Sequence, residues 1–132
     1  MTDPGQSTRD DVHPGRPGLH DLARSINRRR FRYSSEAQLQ AALAGALAAD
    51  GYLVLREAPL GGGRIDLLVG RIGIEVKVAG SRASVLRQLR RYADPTRLDG
   101  LVLVTTRARQ LAMPADVGGI PLEVVELITG AL

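Results

Sequence analysis

Residues 64–78 read RIDLLVGRIGIEVKV, and the fold follows from how this stretch alternates. Gly70-Arg71, with Gly first, suits a two-residue type II′ turn between antiparallel strands. Counting outward sets Val69 opposite Ile72, Leu67 opposite Ile74, and Asp66 opposite Glu75. Ile65, Leu67, Val69, Ile72, Ile74, Val76 and Val78 then share one face, all of them apolar. A slip of one residue would scramble that partition, so the pattern specifies the register. The other face carries Arg64, Asp66, Glu75 and Lys77, with Leu68 and Gly73 near the turn.

Elements around the hairpin read as an α/β domain. Ser35 and Gln38 make a capping box, and Leu39, Leu43 and Leu47 recur at helical spacing until Asp50-Gly51. A strand is predicted over 52–57, then a loop with Pro59 and Gly61-Gly62-Gly63 that is either a flexible connection or a close approach for a phosphate. Strands over 64–69 and 72–78 precede a helix over 84–93, ended by Asp94-Pro95. A buried strand is expected over 101–105 and a last strand over 120–128, with 106–113 unassigned and Gly118-Gly119 a turn. The order αβββαβ lets helices cover a mixed central sheet. The domain is drawn over 34–132, preceded by a basic, largely disordered tail over 1–33 in which 19–32 is a short amphipathic helix or a flexible arm.

Composition narrows the chemistry. The 132 residues hold no Cys, and His13 and His20 are the only histidines, so a bound metal needs oxygen ligands. With 3% aromatics and no Trp, a base-stacking platform for single strands is nearly excluded. No apolar run approaches the roughly 20 residues that span a bilayer, so a soluble, cytoplasmic protein without membrane contact is expected. Net charge is +4, and residues 1–33 hold seven Arg against four Asp. Of the 18 basic residues, Lys77 alone is lysine.

Opposed carboxylates have Cβ atoms about 5 Å apart and normally repel. Mg²⁺ would relieve that repulsion at Asp66 and Glu75, because it takes carboxylate oxygens and keeps several waters. Lys77 lies roughly 7 Å along the strand from Glu75 on the same face, in reach of a phosphate or water at such an ion. The plainer reading is a solvated face with Arg64 and Lys77 neutralising the acids. Glu36 is aimed along the buried stripe of its helix, as a further ligand or as simple complement to the helix dipole. Gln88 and Tyr92 are neighbours on the second helix, for packing or for function.

The set Glu36, Asp66, Glu75-Val76-Lys77 and Gln88-x-x-x-Tyr92 resembles the PD-(D/E)XK nuclease superfamily over residues 34–106, in its RecB-type, phage or junction-resolvase-like variants. Asp66 follows Ile65 where the family often has proline. The resemblance implies a restriction-endonuclease-like core. It also implies an enzyme that uses Mg²⁺ or Mn²⁺ to hydrolyse DNA phosphodiesters, structure-directed or non-specific because the domain has little room for a recognition module. Asp66, Glu75, Glu36 and the Val76 carbonyl would hold the metal, Lys77 would act on the attacking water, and Gln88 and Tyr92 would position groups around it. Arg28, Arg29, Arg30, Arg32 and Arg64 would hold DNA by its phosphates, and Thr105-Thr106-Arg107 is a weaker candidate. A homodimer or a larger nuclease assembly, docked through the tail or residues 111–132, is compatible with the sequence. So is a non-catalytic DNA-binding protein on the same fold.

Overall fold

A computed structural model describes residues 18–127. Helix α1 (Leu19–Asn27) and helix α2 (Glu36–Ala49) precede strands β1 (Leu55–Leu60), β2 (Gly63–Val69) and β3 (Ile72–Lys77). Helix α3 (Arg82–Tyr92), strand β4 (Gly100–Thr105), the single turn α4 (Ala108–Leu111), and strands β5 (Asp116–Val117) and β6 (Ile120–Glu126) complete the order. The strands form one mixed sheet in the order β1-β2-β3-β4-β6-β5. Pairing of β3 with β4 and of β4 with β6 is parallel, and the other pairs are antiparallel.

Each face of the sheet carries its own core. On one, α1 and α2 bury Leu22, Ile26, Leu39, Leu43 and Leu47 against Leu67, Ile74, Val76, Val102 and Val104. On the other, α3 buries Val85, Leu86, Leu89 and Tyr92 against Ile65, Leu101, Leu103 and Leu122. Strand β3 is therefore enclosed on both sides, with every residue from Ile72 to Val76 buried.

The register of the central hairpin agrees with the count: Leu67 pairs with Ile74 and Val69 with Ile72. Gly70 takes a positive φ of 60°, as the turn requires. Ile65 departs from the expected face and packs with the α3 side. Likewise, Tyr52 and Val54 just before β1 lean on the α2 side, whereas Ala58 and Leu60 within it belong to the α3 side. Both strands change face at the level of Glu57 and Asp66, where ladder pairing skips a step and Glu57 has φ 53°. A left-handed residue breaks strict alternation, as at a bulge. Gly73 makes room for the crossing: a Cβ there would lie 2.3 Å from Ile65 Cδ1 and 2.9 Å from Leu101 Cδ2.

Several boundaries move. The first strand begins at Leu55 rather than Tyr52 and continues through Pro59, which an edge strand tolerates because its outer amide has no ladder partner. The Gly61-Gly62 turn is tight, with both φ values positive. Helix α3 starts two residues earlier than read, because Ser81 is the cap and accepts from Ser84 N at 3.2 Å. At the start of α2, Ser35 accepts from Gln38 N, but the Gln38 amide oxygen returns to Ser34 rather than to Ser35. The expected tail boundary at residue 33 is corrected as well. Leu22 and Ile26 are fully buried and Phe31 is buried, so α1 and the segment after it belong to the core. Residues 1–17, with His13, lie outside the described residues. Leu111, Val117, Ile120, Leu122, Val125 and Leu127 are core as well.

Candidate active site

The β2–β3 ladder ends at Leu67 and Ile74, and beyond it side chains take over the bonding. The amide of Asp66 donates to Glu75 Oε1 at 3.1 Å, and the amide of Val76 donates to Asp66 Oδ2 at 2.8 Å. The two acids thus clamp each other's strands reciprocally. One strand-end further, the amide of Val78 donates to Glu36 Oε1 at 3.0 Å, bringing the first turn of α2 over the end of β3. Three carboxylates, from a helix and two strands, each hold a main-chain amide here.

Glu75 is only 1% exposed, and its Oε2 is buried with no hydrogen-bond partner. Burial, reinforced by the Asp66 charge, pushes its carboxyl up from 4.5 to about 8. Burial raises Asp66 too, opposed by the Val76 amide and by Lys77. Lys77 is partly buried at the end of β3, paired across the ladder with Thr105. Among the described residues its ammonium forms an ion pair with neither acid. It acts on both through space, stabilising the charged forms.

On α3, Gln88 Nε2 donates to the Tyr92 hydroxyl at 3.0 Å, and that hydroxyl donates to the Arg64 carbonyl at 2.8 Å. The pair therefore ties the helix to the start of β2. Burial raises the Tyr92 phenol pKa, and the nearby Glu75 and Asp66 charges add to that. Tyr92 holds the strand that carries Asp66; its bonds go to main chain and Gln88, not to the acids. Arg64 is exposed at the rim.

Asp66, Glu75, Val76 and Glu36 come together at one strand end, with Lys77 beside them. They do not make a preformed cage: among the described residues no three His, Cys, Asp or Glu side chains close around a common point. The arginines near α1 lie elsewhere. Arg29 pairs with Asp50, Arg28 donates to Ser25, and Arg28, Arg29 and Arg30 line a cavity of about 200 Å³ with Glu126 and Leu127. Arg32 is exposed. A second cavity of about 230 Å³ runs between α1 and β6, where His20 meets Glu123 at 3.1 Å. Thr105 is fully buried and accepts from the Arg107 amide, which makes it a turn residue rather than a surface contact.

The face change at Glu57 and the contact of Tyr92 with the Arg64 carbonyl had no signal in the residue pattern. The buried state of Glu75 did have one: it sits between Ile74 and Val76 in a strand whose parallel partner, β4, is wholly apolar up to Thr105. No helix among the described residues is long and apolar enough to cross a membrane. No family model, curated protein or solved structure matches the chain.

Proposed function

We propose that the chain is a divalent-metal-dependent deoxyribonuclease with a restriction-endonuclease-like core, structure-directed or non-specific in its choice of DNA. The observation that carries this reading is the Asp66–Glu75 clamp, with Glu75 Oε2 buried and unpartnered. A buried carboxylate oxygen without a donor is costly unless it is protonated or meets a cation. The all-oxygen donor set suits Mg²⁺ or Mn²⁺, which Asp66 and Glu75 would hold, with the Val76 carbonyl and Glu36 as further donors. When bound, such an ion polarises a phosphate and lowers the pKa of water.

The remaining steps fall to this chain's residues. Lys77 orients the attacking water and places its ammonium where negative charge gathers on the phosphate oxygens. Water adds to phosphorus, the bond from phosphorus to the leaving oxygen breaks, and that oxygen takes up a proton. Gln88 and Tyr92 hold β2 so that Asp66 keeps its place opposite Glu75.

The test is one gel with linear, supercoiled, single-stranded and branched DNA, in Mg²⁺, in Mn²⁺ and in EDTA. Metal-dependent cleavage that disappears in Asp66→Asn is expected. DNA binding without cleavage in any lane would replace this reading with a non-catalytic DNA-binding protein on the same fold.

A further inference from the structure

Helix α3 turns Arg87, Arg90 and Arg91 to solvent, and no acidic residue occurs between Arg82 and Tyr92. Several other arginines are tied to the protein itself. Arg29 pairs with Asp50, and Arg71 pairs with Asp99 and donates to the carbonyls of Pro95 and Thr96. Arg82 donates to the Ala112 carbonyl, and Arg107 to that of Gly80. Among the described residues, no ion pair involves Arg64, Arg87, Arg90 or Arg91. Like charges three and four residues apart on a helix repel, so an unneutralised face of this kind favours a polyanion.

That face adjoins the acidic site. The Arg91 carbonyl lies so close to the Gly61 turn that a Cβ there would fall 2.0 Å from it, and a Cβ at Gly63 would lie 3.8 Å from Arg91 Cδ. Tyr92 holds the Arg64 carbonyl, two residues before Asp66. One turn earlier on α3, Arg87 neighbours Gln88, which donates to the same phenol. Arg91 thus sits beside the glycine turn that leads into the strand bearing Asp66.

We propose that Arg87, Arg90 and Arg91 form a phosphate-backbone grip for double-stranded DNA that leads the duplex to Asp66 and Glu75. The last clause rests on the nuclease reading; the grip does not. A duplex rather than a single strand is favoured because single-strand grooves stack bases on exposed aromatics. None of this chain's four aromatic residues is fully exposed: Phe31 and Tyr92 are buried, and the half-buried Tyr33 and Tyr52 pack against the α2-side core. Contacts to phosphates alone carry no sequence information, which suits a non-specific substrate.

The test measures anisotropy of a labelled duplex, and of one of its strands, in EDTA across a salt series. It compares the wild-type chain, a variant combining Arg87→Ala, Arg90→Ala and Arg91→Ala, and the corresponding triple Arg→Lys variant. Each phosphate neutralised adds about 0.9 to the slope of log K against log salt. The alanine variant should keep its melting temperature, bind duplex about tenfold or more weakly, and lose about two to three from that slope. The lysine variant should retain most of the slope. Tighter binding to the single strand, or an unchanged slope in the alanine variant, overturns the grip. A lost slope without cleavage in Mg²⁺ leaves the grip standing and removes the nuclease reading; cleavage with an unchanged slope does the reverse.

Discussion

The amide of Asp66 donates to the carboxylate of Glu75 at 3.1 Å, across the two strands of the central hairpin. With the return bond from the Val76 amide to Asp66, it replaces the ladder pairing that ends at Leu67 and Ile74. The acids are therefore fixed against each other by the main chain, and their repulsion is built into the fold. Protonation or a cation relieves it.

Without metal, protonation must do so. The folded value of Glu75, about 8, lies above the 4.5 of the unfolded chain, so the folded state holds a proton that the unfolded chain releases first. The associated stability is full below about pH 4.5 and is lost as pH rises through about 8. Asp66, raised by burial, adds in the same direction. In EDTA, melting temperature should fall by several degrees from about pH 5 to about pH 8, and Glu75→Gln should flatten the profile. A wild-type profile that rises with pH would contradict the clamp.

Tyr92→Phe removes the donor to the Arg64 carbonyl and the acceptor for Gln88. Urea unfolding should show a loss of about 1–2 kcal/mol. Gln88→Ala, which breaks only the outer bond, should lose less. Equal losses would mean that the Arg64 contact contributes little.

Gly73→Val tests the crossing of β2. Its side chain would enter space filled by Ile65 Cδ1 and Leu101 Cδ2, at 2.3 and 2.9 Å from the first added carbon. Overpacking of a close-packed core costs about 1–3 kcal/mol, readable in the same unfolding experiment.

How much of this was legible depends on what kind of information each feature needs. The pairing of Leu67 with Ile74 was countable because Gly70 fixes the turn and the apolar residues alternate cleanly. The reversal at Ile65 was not, since a positive φ at Glu57 on the neighbouring strand leaves no mark on the residue pattern. The spacing of Leu19, Leu22 and Ile26 suggested a helix, yet its burial depends on β4 and β6, which lie some eighty residues or more further along the chain. Asp66 and Glu75 were legible as opposed acids, whereas the amide bonds that hold them required the strands to diverge. Tyr92 was legible as a neighbour of Gln88, but its bond to a main-chain carbonyl was not, because carbonyls carry no sequence signature.

Lys77→Arg separates catalysis from charge. Lysine offers a compact ammonium with three rotating donors, and guanidinium is larger and planar. Cleavage should fall by about 100-fold or more in Lys77→Arg and in Lys77→Ala, with duplex affinity little changed in Lys77→Arg. An arginine variant that cuts as well as the parent would reduce Lys77 to a surface cation.

The most direct measurement is calorimetric titration of Mn²⁺ into the DNA-free protein at pH 7, in two buffers of different ionisation enthalpy. Metal ligands must be deprotonated, and Glu75, pushed up to about 8, carries its proton at that pH. The account expects binding that releases about one proton in the wild-type chain and is lost in Asp66→Ala. Binding of equal strength in Asp66→Ala, or no Mn²⁺ binding by the wild-type chain, would contradict a metal site at Asp66 and Glu75.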